Sequence, residues 1–319
     1  MGEKVEQIEK FGLSEKNRPK NQFAKVGVLG CGTVGQNITR IIATAGIDVI
    51  FIELSDEKID QAIEGISKEL DYRINHWGMT TGEKKGVLNR IKGSTKCKAL
   101  AECDLVIEAI KSRTREERVS LRKEIFKRVE EFVRPETIIA TNSTTIVITE
   151  LSSELVHKDR CVSLHFSTSS PGANMVEVAR GLYTSDETYK NVKKFTSLIS
   201  TKMIPVEESP GLLSVRLFAS MINESCNVLM EGVGNKEDID LAARTGLGMA
   251  LGPFELADKI GLDKVVRWLD NLYNEFGDMK YKASPILKKL VRAQQYGRVS
   301  GRGFYEYNSD GKKIVVKKY

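Results

Sequence analysis

The sequence predicts an α/β domain built on a mostly parallel sheet, followed by an all-helical C-terminal domain. Three observations carry that prediction. From Lys25 to Glu207 short apolar runs alternate with amphipathic stretches, the rhythm of successive βαβ units. After Ser209-Pro210-Gly211 strand patterns stop, and Leu212, Leu213, Leu217, Phe218, Met221, Ile222, Val228 and Leu229 fall at helical spacing. A chain of 319 residues is too long for one small domain and suits one large or two moderate ones. The expected division is a polar leader over 1–22, a sheet domain over 23–207 and a helical domain over 208–319.

Each element has a local reason. The run Val26 to Leu29, a glycine turn, a helical stretch from Gln36 to Ala45 and a second run from Val49 to Ile52 form the first βαβ unit. Ser55 and Asp56 supply a cap for a helix from about Glu57 toward His76. The charged stretch Thr81 to Lys92 reads as a further helix or loop. Leu105 to Ile110 is a strand, and a helix from about Glu117 to Val133 is stopped by Pro135. Strands recur at Thr137 to Thr141, Cys161 to Phe166, Val176 to Ala179 and Met203 to Glu207, with a helix between about Glu187 and Ser200. In the second part Asn235 with Asp238 reads as a helix start, Gly246 and Gly248 end that helix, and Gly252-Pro253 opens the next. Gly301 to Tyr305 forms a turn whose two aromatics pack back on the domain.

Composition excludes several classes of function. Hydrophobic residues at 41% and charged residues at 29% exclude dominant disorder. Apolar runs are only strand-length, so no segment is expected to span a bilayer, and residues 1–22 lack the apolar core of a secretory signal. The five cysteines are odd in number and scattered, matching neither a disulfide framework nor a zinc site, and a reducing cytosol is the expected compartment. A net charge of +6 favours an anionic ligand. Nucleic acid is not expected, because there are no finger-spaced Cys/His pairs and no basic stripe interleaved with aromatics.

The anion has a candidate seat. Gly30-Cys31-Gly32-Thr33-Val34-Gly35 matches GxGxxG directly after a strand and at the start of a helix, and Glu53 ends the second strand 18 residues past Gly35. Such a Rossmann-type turn lets backbone N–H groups approach a pyrophosphate, while a carboxylate at Glu53 accepts both ribose hydroxyls and repels a 2′-phosphate. NAD is therefore expected over NADP; the alternative is a tight turn with no ligand. His165 stands at the end of the strand Cys161 to Phe166, where ligands of such sheets collect, so it is either a general base or a structural histidine. Glu177, embedded in an apolar strand, needs a partner, and an imidazole is a suitable one.

In their order along the chain, several motifs resemble the L-3-hydroxyacyl-CoA dehydrogenase family, the short bacterial 3-hydroxybutyryl-CoA type especially. They are Gly30 to Gly35, Glu108-Ala109-Ile110, Thr141 to Thr145, Leu164-His165-Phe166, Val176-Glu177-Val178, Ser209-Pro210-Gly211, Lys236 to Asp240, Gly252 to Leu256 and Gly301 to Tyr305. The resemblance implies an NAD-dependent enzyme of fatty-acid metabolism in which His165 exchanges the hydroxyl proton, Glu177 orients it, and Thr144 touches substrate and cofactor. It implies cofactor contacts at Gly30, Gly32, Thr33, Val34, Gly35, Glu53, Glu108, Ala109, Ile110 and Asn142, and substrate contacts at Thr144, Ser167, Thr168 and Val215. It also implies an acyl-CoA substrate. Separately, the apolar stripe from Leu212 to Leu229, with the helices around Val265 to Leu272 and Ile286 to Val291, is more than one helical domain needs and is expected to serve as a homodimer surface as well as a core.

The chain also departs from the family. A family asparagine falls on Val215, which cannot hydrogen-bond a substrate oxygen, and Ser214 is not an obvious replacement because one helical step turns a side chain by roughly 100°. After Ile110 about five residues are inserted within Arg113 to Arg118, so the acid that follows in the family is reassigned to Glu116 or Glu117. Ser167-Thr168-Ser169-Ser170 makes the pocket more polar, and Glu69 and Asp71 place acids on the helix that contacts CoA in the family. Arg113, Arg115 and Arg118 are either an alternative seat for the CoA phosphates or a small carboxylate, or a solvated helix start. Two other readings stay open: a dehydrogenase of a free polar 3-hydroxy acid, like the gulonate or carnitine dehydrogenases, and an NAD-binding protein without catalysis.

Overall fold

The alternating runs fold into one eight-stranded sheet with helices packed on it. The computed structural model describes residues 23–76, 78–110, 115–167 and 174–314, excluding the side chains of 115–118. The leader, Arg113, Thr168, Ser169 and Ser170 lie outside the described residues, as do the side chains of Arg115, Glu116, Glu117 and Arg118.

The strands are β1 (Lys25–Leu29), β2 (Asp48–Ile52), β3 (Ile91–Ser94), β4 (Leu105–Glu108), β5 (Ile138–Thr141), β6 (Cys161–Phe166), β7 (Met175–Arg180) and β8 (Lys202–Glu207). Their spatial order is β3-β2-β1-β4-β5-β6-β7-β8. Strands β1 to β6 are parallel; β7 runs antiparallel to β6, and β8 is parallel to β7. Between them lie α1 (Thr33–Thr44), α2 (Asp56–Asn75), α3 (Thr81–Asn89), α4 (Arg115–Phe132), α5 (Ile148–Leu151) and α6 (Asp186–Leu198). Helices cover both faces of the sheet, so its central strands are buried throughout and read as unbroken apolar runs.

The stretch Thr81 to Lys92 is helix α3 as far as Asn89, and its last two residues, Ile91 and Lys92, open the strand β3, which the sequence reading did not include. Its sequence Ile-Lys-Gly-Ser has no apolar run because it is a sheet edge, held by pairing to β2. A Cβ on Gly93 would come within 2.3 Å of the Ile59 side chain and 2.9 Å of the Phe51 ring, so glycine is needed for α2 to close over that edge.

The second part contains α7 (Ser214–Met230), α8 (Lys236–Gly246), α9 (Pro253–Ile260), α10 (Leu262–Phe276) and α11 (Pro285–Arg292) around their own apolar core. Two buried aspartates organise it. Asp240 accepts from the Phe254 and Glu255 amides at the start of α9 and from the Tyr305 hydroxyl. Asp258 accepts from the Phe304 and Tyr305 amides and the Tyr307 hydroxyl, tying the aromatic tail to α9. Burial raises both carboxyls above their usual range. Most of the expected dimer stripe is core: Val215, Ala219, Ile222, Cys226, Val265, Leu269, Leu272 and Leu287 are all buried. Exposed apolar side chains include Leu213, Leu217 and Met230 of the α7 region, Leu241 in the middle of α8 and Leu247 just past its end.

Candidate active site

Strand order reverses between β1 and β4, so the loops leaving their carboxyl ends diverge and open a crevice. The glycine turn forms one wall. Gly30 has φ of +83°, and a Cβ there would sit 3.1–3.2 Å from Ile110 and the Ala109 carbonyl, so Ala109 and Ile110 close against the turn. A Cβ on Gly35 would lie 2.0 Å from the Gly30 carbonyl oxygen. Gly32 differs: a Cβ there meets no chain atom within 4 Å, so nothing in the protein itself requires it to be bare. It precedes α1, whose first turn, with Thr33, Val34 and Gly35, has no side-chain cap and no acidic residue. Those uncapped amides, the open approach over Gly32 and the helix dipole suit a dinucleotide pyrophosphate. Glu53 stands beside the turn, its Oε1 accepting from the Cys31 amide at 2.6 Å.

Glu108 has a different setting from that expected of a cofactor contact. Its carboxylate is buried and fully engaged, accepting from the Ile110 amide (2.7 Å), Arg122 Nε (2.9 Å) and the Thr141 hydroxyl (2.8 Å). Arg122, from α4, also donates to the Ile110 carbonyl at 2.6 Å. The ion pair therefore braces the Ala109-Ile110 wall from beneath.

Farther along the sheet, His165 and Glu177 are directly opposite each other in the β6/β7 register. The twelve-residue step between them is the length of that hairpin. His165 Nδ1 lies 2.6 Å from Glu177 Oε2, with the imidazole 12% exposed and the carboxylate fully buried. Glu177 Oε1 accepts from the Leu213 and Ser214 amides (3.0 and 2.8 Å), and Oε2 also accepts from the Ser214 hydroxyl (2.7 Å). Burial by itself would raise this carboxyl, but the bonds from His165 and Ser214 outweigh it and hold it below the usual carboxylate range. Among the described residues, Nε2 of His165 has no hydrogen-bond partner.

Neighbouring loops fix the surroundings. Asn142 Oδ1 accepts from the Phe166 amide at 2.9 Å, tying the end of β5 to the end of β6. The Thr144 carbonyl accepts from the Gly211 amide at 2.6 Å, and Asn271 of α10 donates to the Thr145 hydroxyl at 2.8 Å, so the helical part holds this loop of the sheet domain at two points. Ser167 closes the hairpin base through its amide to Met175. Val215 is 2% exposed and packs into the helical core, which corrects its assignment as a substrate contact. Ser214 faces Glu177 in its place, a role the sequence reading did not assign; the only local signal was a hydroxyl at the start of α7.

On α2, Glu69 and Asp71 are exposed and each is near a cation, Arg73 at 3.9 Å and Lys84 at 2.6 Å. Burial pushes the thiols of Cys31, Cys103, Cys161 and Cys226 up to about 12, so none is a nucleophile at neutral pH. Among the described residues no cluster of His, Cys, Asp or Glu can hold a metal, and no helix is long and apolar enough to cross a membrane.

Residues 25–209 match the model of the 3-hydroxyacyl-CoA dehydrogenase NAD binding domain, and residues 211–307 match that of the C-terminal domain. A 3-hydroxybutyryl-CoA dehydrogenase of Clostridioides difficile is 36% identical over 284 residues, covering 89% of this chain and 99% of that one. The solved (S)-3-hydroxybutyryl-CoA dehydrogenase of Ralstonia eutropha is 35% identical with a TM-score of 0.82, covering 90% of this chain and all of that one. FadB2 of M. tuberculosis, 27% identical, superposes with a TM-score of 0.85 over 90% of this chain and 99% of its own.

Proposed function

Since the chain belongs to the 3-hydroxyacyl-CoA dehydrogenase family and is an NAD-dependent oxidoreductase, we propose that it interconverts a short L-3-hydroxyacyl-CoA, in particular 3-hydroxybutyryl-CoA, and the 3-ketoacyl-CoA through a His165–Glu177 dyad. The observation that carries this reading is the 2.6 Å contact of Nδ1 with a buried carboxylate at the carboxyl end of β6. Bound NAD supplies the acceptor for hydride from C3. His165 Nε2 takes the 3-hydroxyl proton as that hydride leaves, and returns it in the reverse direction. Glu177 keeps the ring in the Nδ1–H tautomer and stabilises the imidazolium. Gly30, Gly32, Thr33, Val34 and Gly35 would hold the pyrophosphate, Glu53 would accept from the ribose hydroxyls, and Ala109, Ile110 and Asn142 would complete the cofactor contacts. Thr144 supplies a hydroxyl to substrate and cofactor, with Ser167 and Thr168 beside it.

A second reading, a free polar 3-hydroxy acid as substrate, is favoured by the acids Glu69 and Asp71 exposed on α2. Following NADH absorbance with acetoacetyl-CoA and with free 3-keto acids, in wild type and His165→Gln, separates the two. Turnover of the thioester, lost in His165→Gln, is the expected result; turnover of free acids alone replaces the substrate, and no turnover of either in wild type removes both. The five cysteines are free thiols, in keeping with a cytosolic enzyme, and exposed Leu213, Leu217, Leu241 and Leu247 suit a homodimer through the helical domain.

A further inference from the structure

We infer that Ser214 is a positioning residue of this site: its hydroxyl shares the Glu177 oxygen that holds His165, and so sets the negative charge that the imidazole feels. The inference rests on the dyad proposed above.

Glu177 belongs to the sheet, yet three of its four donors come from the start of α7 in the other domain: two amides on Oε1 and the Ser214 hydroxyl on Oε2. The hydroxyl and His165 Nδ1 meet on Oε2, at 2.7 and 2.6 Å, while the two amides take Oε1. The approach to α7 is shaped for this contact. Gly211 (φ +87°) and Leu212 (φ +48°) turn the chain through consecutive left-handed conformations, the second strained for leucine, and so aim the first-turn groups at the sheet. A carboxylate oxygen shared with a hydroxyl donor is a weaker base toward the imidazole than one facing the imidazole alone. Removing the hydroxyl concentrates charge on the His165 contact, so the imidazolium persists to higher pH.

Among the described residues no other charge competes for this role. On β6 the group facing Glu177 is His165, and on β8 its register partner is Ile204. Arg180 of β7 bonds the Thr184 carbonyl and Asp186, and Arg216 of α7 bonds Ser209 and Tyr281. Residues 168–173 carry no titratable side chain.

The test measures kcat and kcat/KM against pH for 3-hydroxybutyryl-CoA with NAD, in wild type, Ser214→Ala, Ser214→Thr and His165→Gln, alongside NADH affinity. In Ser214→Ala the acidic limb of kcat/KM moves up by about half a unit to one unit, NADH affinity stays within about twofold of wild type, and Ser214→Thr restores the limb. A limb that stays in place in Ser214→Ala, with or without a fall in kcat, overturns the inference while an inactive His165→Gln leaves the dyad standing. Wild-type kcat in His165→Gln overturns the dyad and this role with it. Should Ser214→Ala fold poorly, Ser214→Cys, with its weaker donor, moves the limb in the same direction, and an unmoved limb there overturns the inference equally.

Discussion

Replacing Glu177 by glutamine probes the dyad most directly. The carboxylate accepts four hydrogen bonds, two on each oxygen, in a fully buried position. Glutamine offers one acceptor oxygen and one donor group. The Leu213 and Ser214 amides cannot do without an acceptor, so the amide oxygen stays with them and the NH2 faces His165 Nδ1 and the Ser214 hydroxyl. Nδ1 must then accept, the ring proton moves to Nε2, and the nitrogen that should take the substrate proton already carries one. The corresponding carboxylate-to-amide change in a serine protease triad lowers kcat about 10⁴-fold by the same tautomer error. The expectation here is a loss of about 10³ to 10⁴ in kcat, or roughly 4 to 5.5 kcal/mol, with NADH affinity nearly intact. The assay is NADH oxidation by acetoacetyl-CoA, with NADH binding measured by calorimetry. A kcat within about threefold of wild type would refute the tautomer argument. Stability supplies a second check. A carboxyl held below its ordinary 4.5 contributes stability that is complete above that value and is lost as pH falls through the lower, folded-state value. The stability difference between wild type and Glu177→Gln should therefore shrink on acidification below about pH 4.5, measured by urea midpoints at successive pH values.

Other perturbations separate ligand-facing from structural roles. Gly32→Ala meets open space at an ordinary φ of −70°, so its stability stays within about 0.5 kcal/mol of wild type while NADH affinity falls about tenfold or more; unchanged affinity removes Gly32 from the cofactor site. Asp258→Ala strands two buried amides and the Tyr307 hydroxyl and should cost about 3 kcal/mol or more, and a urea-derived loss under about 1 kcal/mol contradicts the tail-anchoring role. Because burial raises this carboxyl above 3.8, wild-type stability gains a contribution at low pH that disappears as pH rises through the folded-state value, a slope Asp258→Ala lacks. Light scattering at micromolar concentration should report a dimer, and Leu217→Arg a folded monomer; a monomeric wild type ends the dimer proposal.

Much of the sheet was legible because its signals are local. The β1–turn–α1–β2 unit, the Ser55 and Asn235 caps and the strand Cys161–Phe166 are written in short-range patterns of apolar spacing and capping chemistry. Strand β3 was not, since an edge strand of four residues with one buried side chain leaves no periodicity to detect. The partners of Glu108 were also hidden: Thr141 and Arg122 lie 33 and 14 residues away, and only the packing of α4 beneath β4 brings the guanidinium to the carboxylate.

By itself the sequence determined the residue types of the site: a glycine turn that leaves helix amides uncovered, an acid at the end of β2, and a histidine and glutamate one hairpin apart. The contrast between Ser214 and Val215 is what only the tertiary structure decided. Adjacent residues on a helix diverge by roughly 100°, so which one meets a buried carboxylate depends on how α7 is rotated against the sheet. That rotation follows from the left-handed pair Gly211-Leu212 and from burial of Val215, Ala219 and Ile222 in the helical core, a docking between domains that no local pattern encodes.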